Sequence, residues 1–123
     1  MPNTWLLTAL HATLLVSPQH LDAIAQVESG WNAALVSRSG CVGIYQIMPR
    51  YARSDRASLR DPTLGRLEAA RQLAAWYRAS GRGRHASWFR ATAAYNCGWG
   101  GLRGTCGTGY ARRVYLVWRN SRR

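Results

Sequence analysis

Apolar residues recur along this chain at helical intervals, broken by short runs rich in glycine, serine and β-branched residues. From Trp5 to Val16 almost every position is apolar, which predicts a first helix. Ser17-Pro18 then places a capping residue before a proline at the first helical position. A second helix is expected from about Pro18 to Ser29, stopping at Gly30. Leu21, Ile24 and Ala25 form its apolar stripe, and Glu28 takes the next turn of that stripe. Residues 31–48 mix Gly40, Gly43, Ser37 and Ser39 with Val36, Val42, Ile44 and Ile47, the mark of a loop with short extended pieces or a small hairpin. Pro49 opens a short helix through about Ala57.

Asp61-Pro62-Thr63 repeats the cap-then-proline signal. Leu67, Ala70, Leu73, Ala74 and Tyr77 give that helix its inner face, and Gly81 ends it. Ser87 caps a helix from Trp88 to about Asn96, with Phe89 and Ala93 on one side. Glycines at 98, 100, 101, 104, 107 and 109 predict a loop. Tyr110 to Arg119 forms the last helix, packed through Val114, Val117 and Trp118. With no repeat and no linker, residues 1–123 are expected to be one mainly α domain with a short extended segment around residues 36–48.

Nearly half of the residues are hydrophobic and there are six Trp and six Tyr, which excludes a disordered basic tail. The formal net charge is +12, and all seventeen basic residues are arginines, every one from Arg38 onward. The acids are Asp22, Glu28, Asp55, Asp61 and Glu68. Such a surface attracts polyanions, whether nucleic acid, anionic lipid, lipopolysaccharide or acidic wall polymers. Because the arginines are dispersed, a general adhesive or solubilising role is an equal reading. No predicted helix carries the one-sided basic stripe with exposed aromatics of a dedicated nucleic-acid reader.

Three cysteines, Cys41, Cys97 and Cys106, cannot all pair internally. One disulfide with a free thiol and three reduced thiols are both open. No CxxC occurs, and His11, His20 and His85 are scattered, so neither a metal nor a cofactor is expected. Trp5 to Val16 lacks a basic n-region, contains His11 and offers no small-residue cleavage site. It is also too short to span a bilayer. We read it as a core helix and expect no classical export signal.

Glu28 is the candidate acid. A carboxyl on the core side of its helix is desolvated, which favours the protonated form that a general acid needs. A partly buried Glu paired with an arginine is the competing reading, and position alone favours it. The neighbouring motifs reverse that weighting. They are Glu28-Ser29-Gly30-Trp31-Asn32, then Ser37-x-x-Gly40-Cys41-x-Gly43-Ile44-Tyr45-Gln46-Ile47-Met48-Pro49, and Ala93-Ala94-Tyr95-Asn96-Cys97-Gly98. Together they resemble the lytic transglycosylase (SLT) domain of the lysozyme-like superfamily, whose pattern runs ES-x-[FW]-N, S-x-x-G-A-x-GLMQ-x-MP and AYNAG. The three blocks match in order over most of residues 18–115, and the Glu28-to-Gln46 spacing equals the family's.

The resemblance implies a lysozyme-like α+β fold, with the extended segment bordering a cleft. Glu28 would be acid and then base in cleaving the β-1,4 bond between N-acetylmuramic acid and N-acetylglucosamine, leaving a 1,6-anhydro end. Ser37 would order the site, Gln46 would bind substrate or orient groups beside Glu28, and Gly43 would let backbone approach the sugar. Tyr45 and Met48 would line the cleft. Tyr95 would bring its hydroxyl toward Glu28, Asn96 would pin the turn after its helix, and Trp99 would stack on a sugar ring. Each has a bland counterpart: a turn-forming serine, a glycine required by a turn, a core methionine, packing with a helix cap, or a tryptophan covering the core.

The chain departs from the family where Ile44-Tyr45 replaces Leu-Met, which alters the cleft wall, and where Cys41 and Cys97 replace alanines. If those blocks meet, a Cys41–Cys97 or a Cys97–Cys106 bridge is possible. Residues 107–114 are similar to the ends of compact transglycosylases from phages and conjugation or secretion systems. The expected lack of an export signal, the minimal single domain and the arginine-rich surface suggest a phage-encoded monomer acting on the wall from the periplasm or the virion, with that surface held on anionic wall or outer-membrane polymers. No acidic residue lies between Glu28 and Asp55, which favours a one-carboxylate transglycosylase over a two-carboxylate muramidase. Asp61 reads as a helix cap and Asp55 as a solvated partner of Arg53 or Arg56. The alternative of another class is a non-catalytic cationic binder of wall glycan or nucleic acid.

Overall fold

The computed structural model describes residues 4–83 and 86–121, so His85 lies outside the described residues. The chain forms two compact units, one up to Arg71 and one from Gln72. The first holds α1 (Thr4–Leu15), α2 (Pro18–Ser29), two 3-10 turns at Pro49–Tyr51 and Ser58–Arg60, and the start of α3 (Pro62–Ala79). The second holds the rest of α3 with α4 (Trp88–Cys97), α5 (Trp99–Arg103) and α6 (Thr108–Ser121). The fold is mostly helical, as the apolar spacing predicts.

α1 corrects the expectation of a core helix. Its inward side is small, with Ala9, Ala12 and Val16 buried at helical spacing, whereas Leu7, Leu10 and Leu14 are exposed, Leu14 at 86%. α2 is amphipathic as expected, and Leu21, Ile24 and Ala25 are buried. Fully burying a leucine or isoleucine stabilises by about 1.5–3 kcal/mol. Ser17 occupies the position before Pro18, but its hydroxyl donates to Gln19 Oε1 (2.8 Å) instead of capping the helix. Gly30 closes α2 in the left-handed conformation (φ 60°), its amide donating to the Gln26 carbonyl (3.1 Å).

Beyond α2 the chain makes two isolated antiparallel bridges, Val36 with Val42 and Val42 with Ile47. The expected helix from Pro49 to Ala57 shrinks to the turn Pro49–Tyr51, and Asp55 explains the next one. Its Oδ1 accepts from the Ser58 amide (2.8 Å), capping the turn Ser58–Arg60. That bond holds the Asp55 carboxyl below the usual carboxylate range. Asp61 caps α3 as anticipated, accepting from the Thr63 and Leu64 amides, each at 2.9 Å.

The inner face of α3 is rotated from the expected one. Ala70, Leu73 and Ala74 are buried, Leu67 and Tyr77 only half so, and Glu68 is wholly buried at 0% exposure. Glu68 Oε1 accepts from the Arg53 amide (2.7 Å), and Oε2 accepts from Arg71 Nε (2.8 Å). A buried carboxylate is tolerable when charged and backbone donors satisfy it, and here both do.

In the second unit, Ser87 caps α4 by accepting from the Arg90 amide (3.1 Å), and α4 packs against α5 and α6. The glycine-rich stretch is not simply a loop, because it contains α5 and the start of α6. A Cys97–Cys106 disulfide closes it, with Cα atoms 6.0 Å apart, and Cys41 is free, which excludes a Cys41–Cys97 bridge. Closing so short a loop stabilises by roughly 2–3 kcal/mol.

His20, on the first turn of α2, is 1% exposed, and burial pushes its imidazole down to about 4 from an ordinary 6.5. The unfolded chain therefore takes up a proton on acidification that the native state refuses. Stability is full above about pH 6.5 and is lost as the pH falls toward 4, by up to about 3 kcal/mol. Urea unfolding across this range should show the decline, and His20→Leu should flatten it. A wild-type slope identical to that of the variant would contradict this assignment.

Candidate active site

Glu28 lies on the last turn of α2, half-buried. The residue after it fastens that turn to the rest of the unit. Ser29 Oγ donates to the Ile44 carbonyl at 2.7 Å and accepts from the Asn32 amide at 3.2 Å. The chain then leaves α2 through Trp31, whose φ of 68° is costly for a bulky side chain, at about 1–2 kcal/mol. Gln46, at φ 50°, is the other non-glycine residue with positive φ among the described residues. Both outliers fall within the two motif blocks around Glu28 and Gln46, where stored backbone strain points to function.

The Ile44 carbonyl belongs to a tight turn. Val42 and Ile47 exchange both backbone hydrogen bonds (2.9 and 3.1 Å), which leaves Gly43 to Gln46 as the loop between them. The Gln46 amide nitrogen donates inward to the Gly43 carbonyl (2.8 Å) and the Leu35 carbonyl (3.1 Å). With both donors used, the Gln46 side chain has an acceptor, its Oε1, to offer a ligand.

Three expected site residues in this unit have structural duties. A Cβ on Gly43 would collide with the Leu59 carbonyl, so glycine is required by that packing and by its φ of 82°. Tyr45 is not a cleft wall, being 3% exposed. Its hydroxyl accepts from Arg66 Nη1 (3.0 Å), which also donates to Asp22 Oδ1 (2.8 Å), while Arg66 Nη2 donates to the Pro18 carbonyl (3.0 Å). Burial raises the Tyr45 phenol above its ordinary range, partly offset by Arg66. Ser37 Oγ accepts from the Cys41 amide (3.0 Å), so it forms a turn. Met48 is half-buried and precedes the turn Pro49–Tyr51.

Tyr95, Asn96 and Trp99 belong to the second unit. Tyr95 is half-buried on α4 and Asn96 is exposed. The turn expected to depend on Asn96 is closed by backbone, the Gly98 amide donating to the Ala94 carbonyl (2.6 Å). Trp99 does not cover a core, since it is 53% exposed. Its ring meets Trp76 edge to face at 5.0 Å, and the Arg103 guanidinium sits 4.7 Å from its centroid.

The acids sort themselves. Asp22 pairs with Arg66, Asp55 and Asp61 cap turns, and Glu68 holds Arg53 and Arg71. Each duty explains its residue without chemistry, and Glu28 is the candidate acid by its place in the motif block on the last turn of α2. Among the described residues no group of His, Cys, Asp and Glu could hold a metal.

A family model, the Transglycosylase SLT domain, matches residues 8–115. The chain belongs to this family. Its members are lysozyme-like enzymes that cleave glycosidic bonds, with peptidoglycan as substrate. No individual curated protein matches the sequence. The match spans both the Glu28–Gln46 region and the Tyr95–Asn96 block.

Gly43 and Gly40 separate close packing from backbone strain. Gly40 also has positive φ (92°), but nothing lies within 4 Å of where its Cβ would be. Gly40→Ala should cost about 1 kcal/mol, whereas Gly43→Ala, which must also displace the Leu59 carbonyl, should cost at least about 2 kcal/mol. Urea unfolding of the two variants checks this, and equal losses would contradict the packing account.

Proposed function

We propose that this protein is a peptidoglycan lytic transglycosylase in which Glu28 is the sole catalytic carboxylate. The observation that carries the reading is the place of Glu28, half-buried on the last turn of α2 and next to Ser29, whose hydroxyl fastens that turn to the Ile44 carbonyl, while each of the other four acids has a structural role. A hydrolase of the usual kind needs two carboxylates across the scissile bond, one of them to activate water. With one, the attacking group is best supplied by the substrate itself.

The protonated Glu28 gives its proton to the glycosidic oxygen as the C1–O4 bond between N-acetylmuramic acid and N-acetylglucosamine breaks. The muramoyl acetamido group stabilises the positive charge at C1. The Glu28 carboxylate then takes the proton of the muramoyl 6-hydroxyl, whose oxygen bonds to C1. Glu28 ends protonated, no water is consumed, and the product carries a 1,6-anhydro ring. Half-burial suits this cycle, because a partly desolvated carboxyl can hold a proton and release it. Within the same unit, Gln46 Oε1 would accept from a sugar hydroxyl.

Mass spectrometry of the fragments released from purified sacculi tests the reading. Wild type should give 1,6-anhydromuramoyl ends, Glu28→Gln should lose about a hundred- to ten-thousandfold in rate, and Asp55→Asn should act as wild type. Reducing ends would assign a muramidase, and full activity of Glu28→Gln would remove Glu28 from the chemistry.

A further inference from the structure

The net charge is concentrated in one half of the protein. Residues 72–123 contain ten arginines and no Asp or Glu, whereas all five acids lie in residues 1–71 beside seven arginines. No side-chain carboxylate of the second unit can therefore neutralise its guanidiniums. Two of these arginines have local work. Arg90 Nη2 donates to the Ser80 carbonyl (2.8 Å), and Arg103 lies over Trp99.

α6 organises three others. Before its last residue, Ser121, its exposed positions are Gly109, Arg112, Arg113, Leu116, Arg119 and Asn120, which follow one another by three and four residues and so form one face. The opposite face buries Tyr110, Ala111 and Val114. The outer face is thus three arginines around a leucine that is 48% exposed. This one-sided basic stripe lacks the exposed aromatics of a nucleic-acid reader. Tyr115 is held between Phe89 (5.4 Å) and Trp118 (5.5 Å), and both Tyr115 and Trp118 are half-buried. Single-stranded readers need free rings for base stacking.

We propose that the outer face of α6 docks on an anionic phospholipid surface, with Arg112, Arg113 and Arg119 on the lipid phosphates and Leu116 entering the headgroup boundary. Charge complementarity selects an anionic partner. Guanidinium forks match phosphate oxygens in pairs. The exposed leucine at the centre selects lipid over a wholly polar polyanion, because an amphipathic helix lying on a membrane pairs cationic side chains with apolar contact. Arginine stems can lie along the apolar boundary while their heads reach the phosphates. Docking of this kind holds the protein at a membrane surface and goes beyond its chemistry on glycan.

Co-sedimentation of the full chain tests it, using phosphatidylethanolamine vesicles with one quarter phosphatidylglycerol, pure phosphatidylcholine vesicles, and a short DNA duplex. Wild type should bind the anionic vesicles, weaken with added salt, and ignore phosphatidylcholine. Replacing Arg112, Arg113 and Arg119 by Gln should weaken vesicle binding about a hundredfold, roughly fivefold for each arginine. Leu116→Ser, at an exposed site that leaves folding intact, should weaken vesicle binding several-fold and leave DNA binding unchanged. Triple-variant binding equal to wild type, vesicle binding indifferent to Leu116→Ser, or DNA bound more tightly than the anionic vesicles would each overturn the proposal. Because the readout is binding, it stands or falls apart from the reaction assigned to Glu28.

Discussion

The first unit depends on a single hydroxyl. Ser29 Oγ meets the Ile44 carbonyl at 2.7 Å, and it does so from the residue next to Glu28. Without it, a half-buried carbonyl in a tight turn would lose its partner, a penalty of about 1–3 kcal/mol. With it, the end of α2 and the turn Gly43–Gln46 move as one piece. Two further anchors hold the same turn: Gly43 against the Leu59 carbonyl, and Tyr45 on the Arg66–Asp22 pair. Trp31 and Gln46, close in sequence to the two ends of the Ser29–Ile44 bond, hold left-handed conformations that are costly for non-glycine residues. The Gln46 donors are turned inward, and its acceptor is what remains for a ligand.

Scarcity of acid shapes the rest. A chain with seventeen arginines and five acids has few carboxylates to spare, and four are committed to architecture. Those four fasten helices and turns of the first unit. The second unit is built without side-chain carboxylates, through helix packing, aromatic contacts and the Cys97–Cys106 bridge. Three of its arginines, Arg112, Arg113 and Arg119, are exposed on the outer face of α6.

Much of this was legible in the residues, for identifiable reasons. Caps are local, so Asp61 and Ser87 announced α3 and α4. The motif blocks were legible because turn geometry and catalytic chemistry demand particular residues at fixed spacing, and the family match bears out the resemblance they carry. What escaped depends on partners distant in sequence. Glu68 is buried because the Arg53 amide, fifteen residues earlier, satisfies it. The packing of Gly43 on Leu59 and the hydrogen bond from Arg66 to Tyr45 likewise join residues far apart in sequence. α5 was hidden by glycines that read as loop, and α1 by leucines whose apolarity suggested burial while alanines supply its inner side.

The most direct test of the account is the structure of Glu28→Gln bound to a muramic-acid-containing glycan fragment. The account predicts a glycosidic oxygen within about 3 Å of the residue 28 side chain, with the Gln46 Oε1 accepting from the same sugar. A glycan seated away from residue 28, or a Gln46 side chain turned from the ligand, would contradict it.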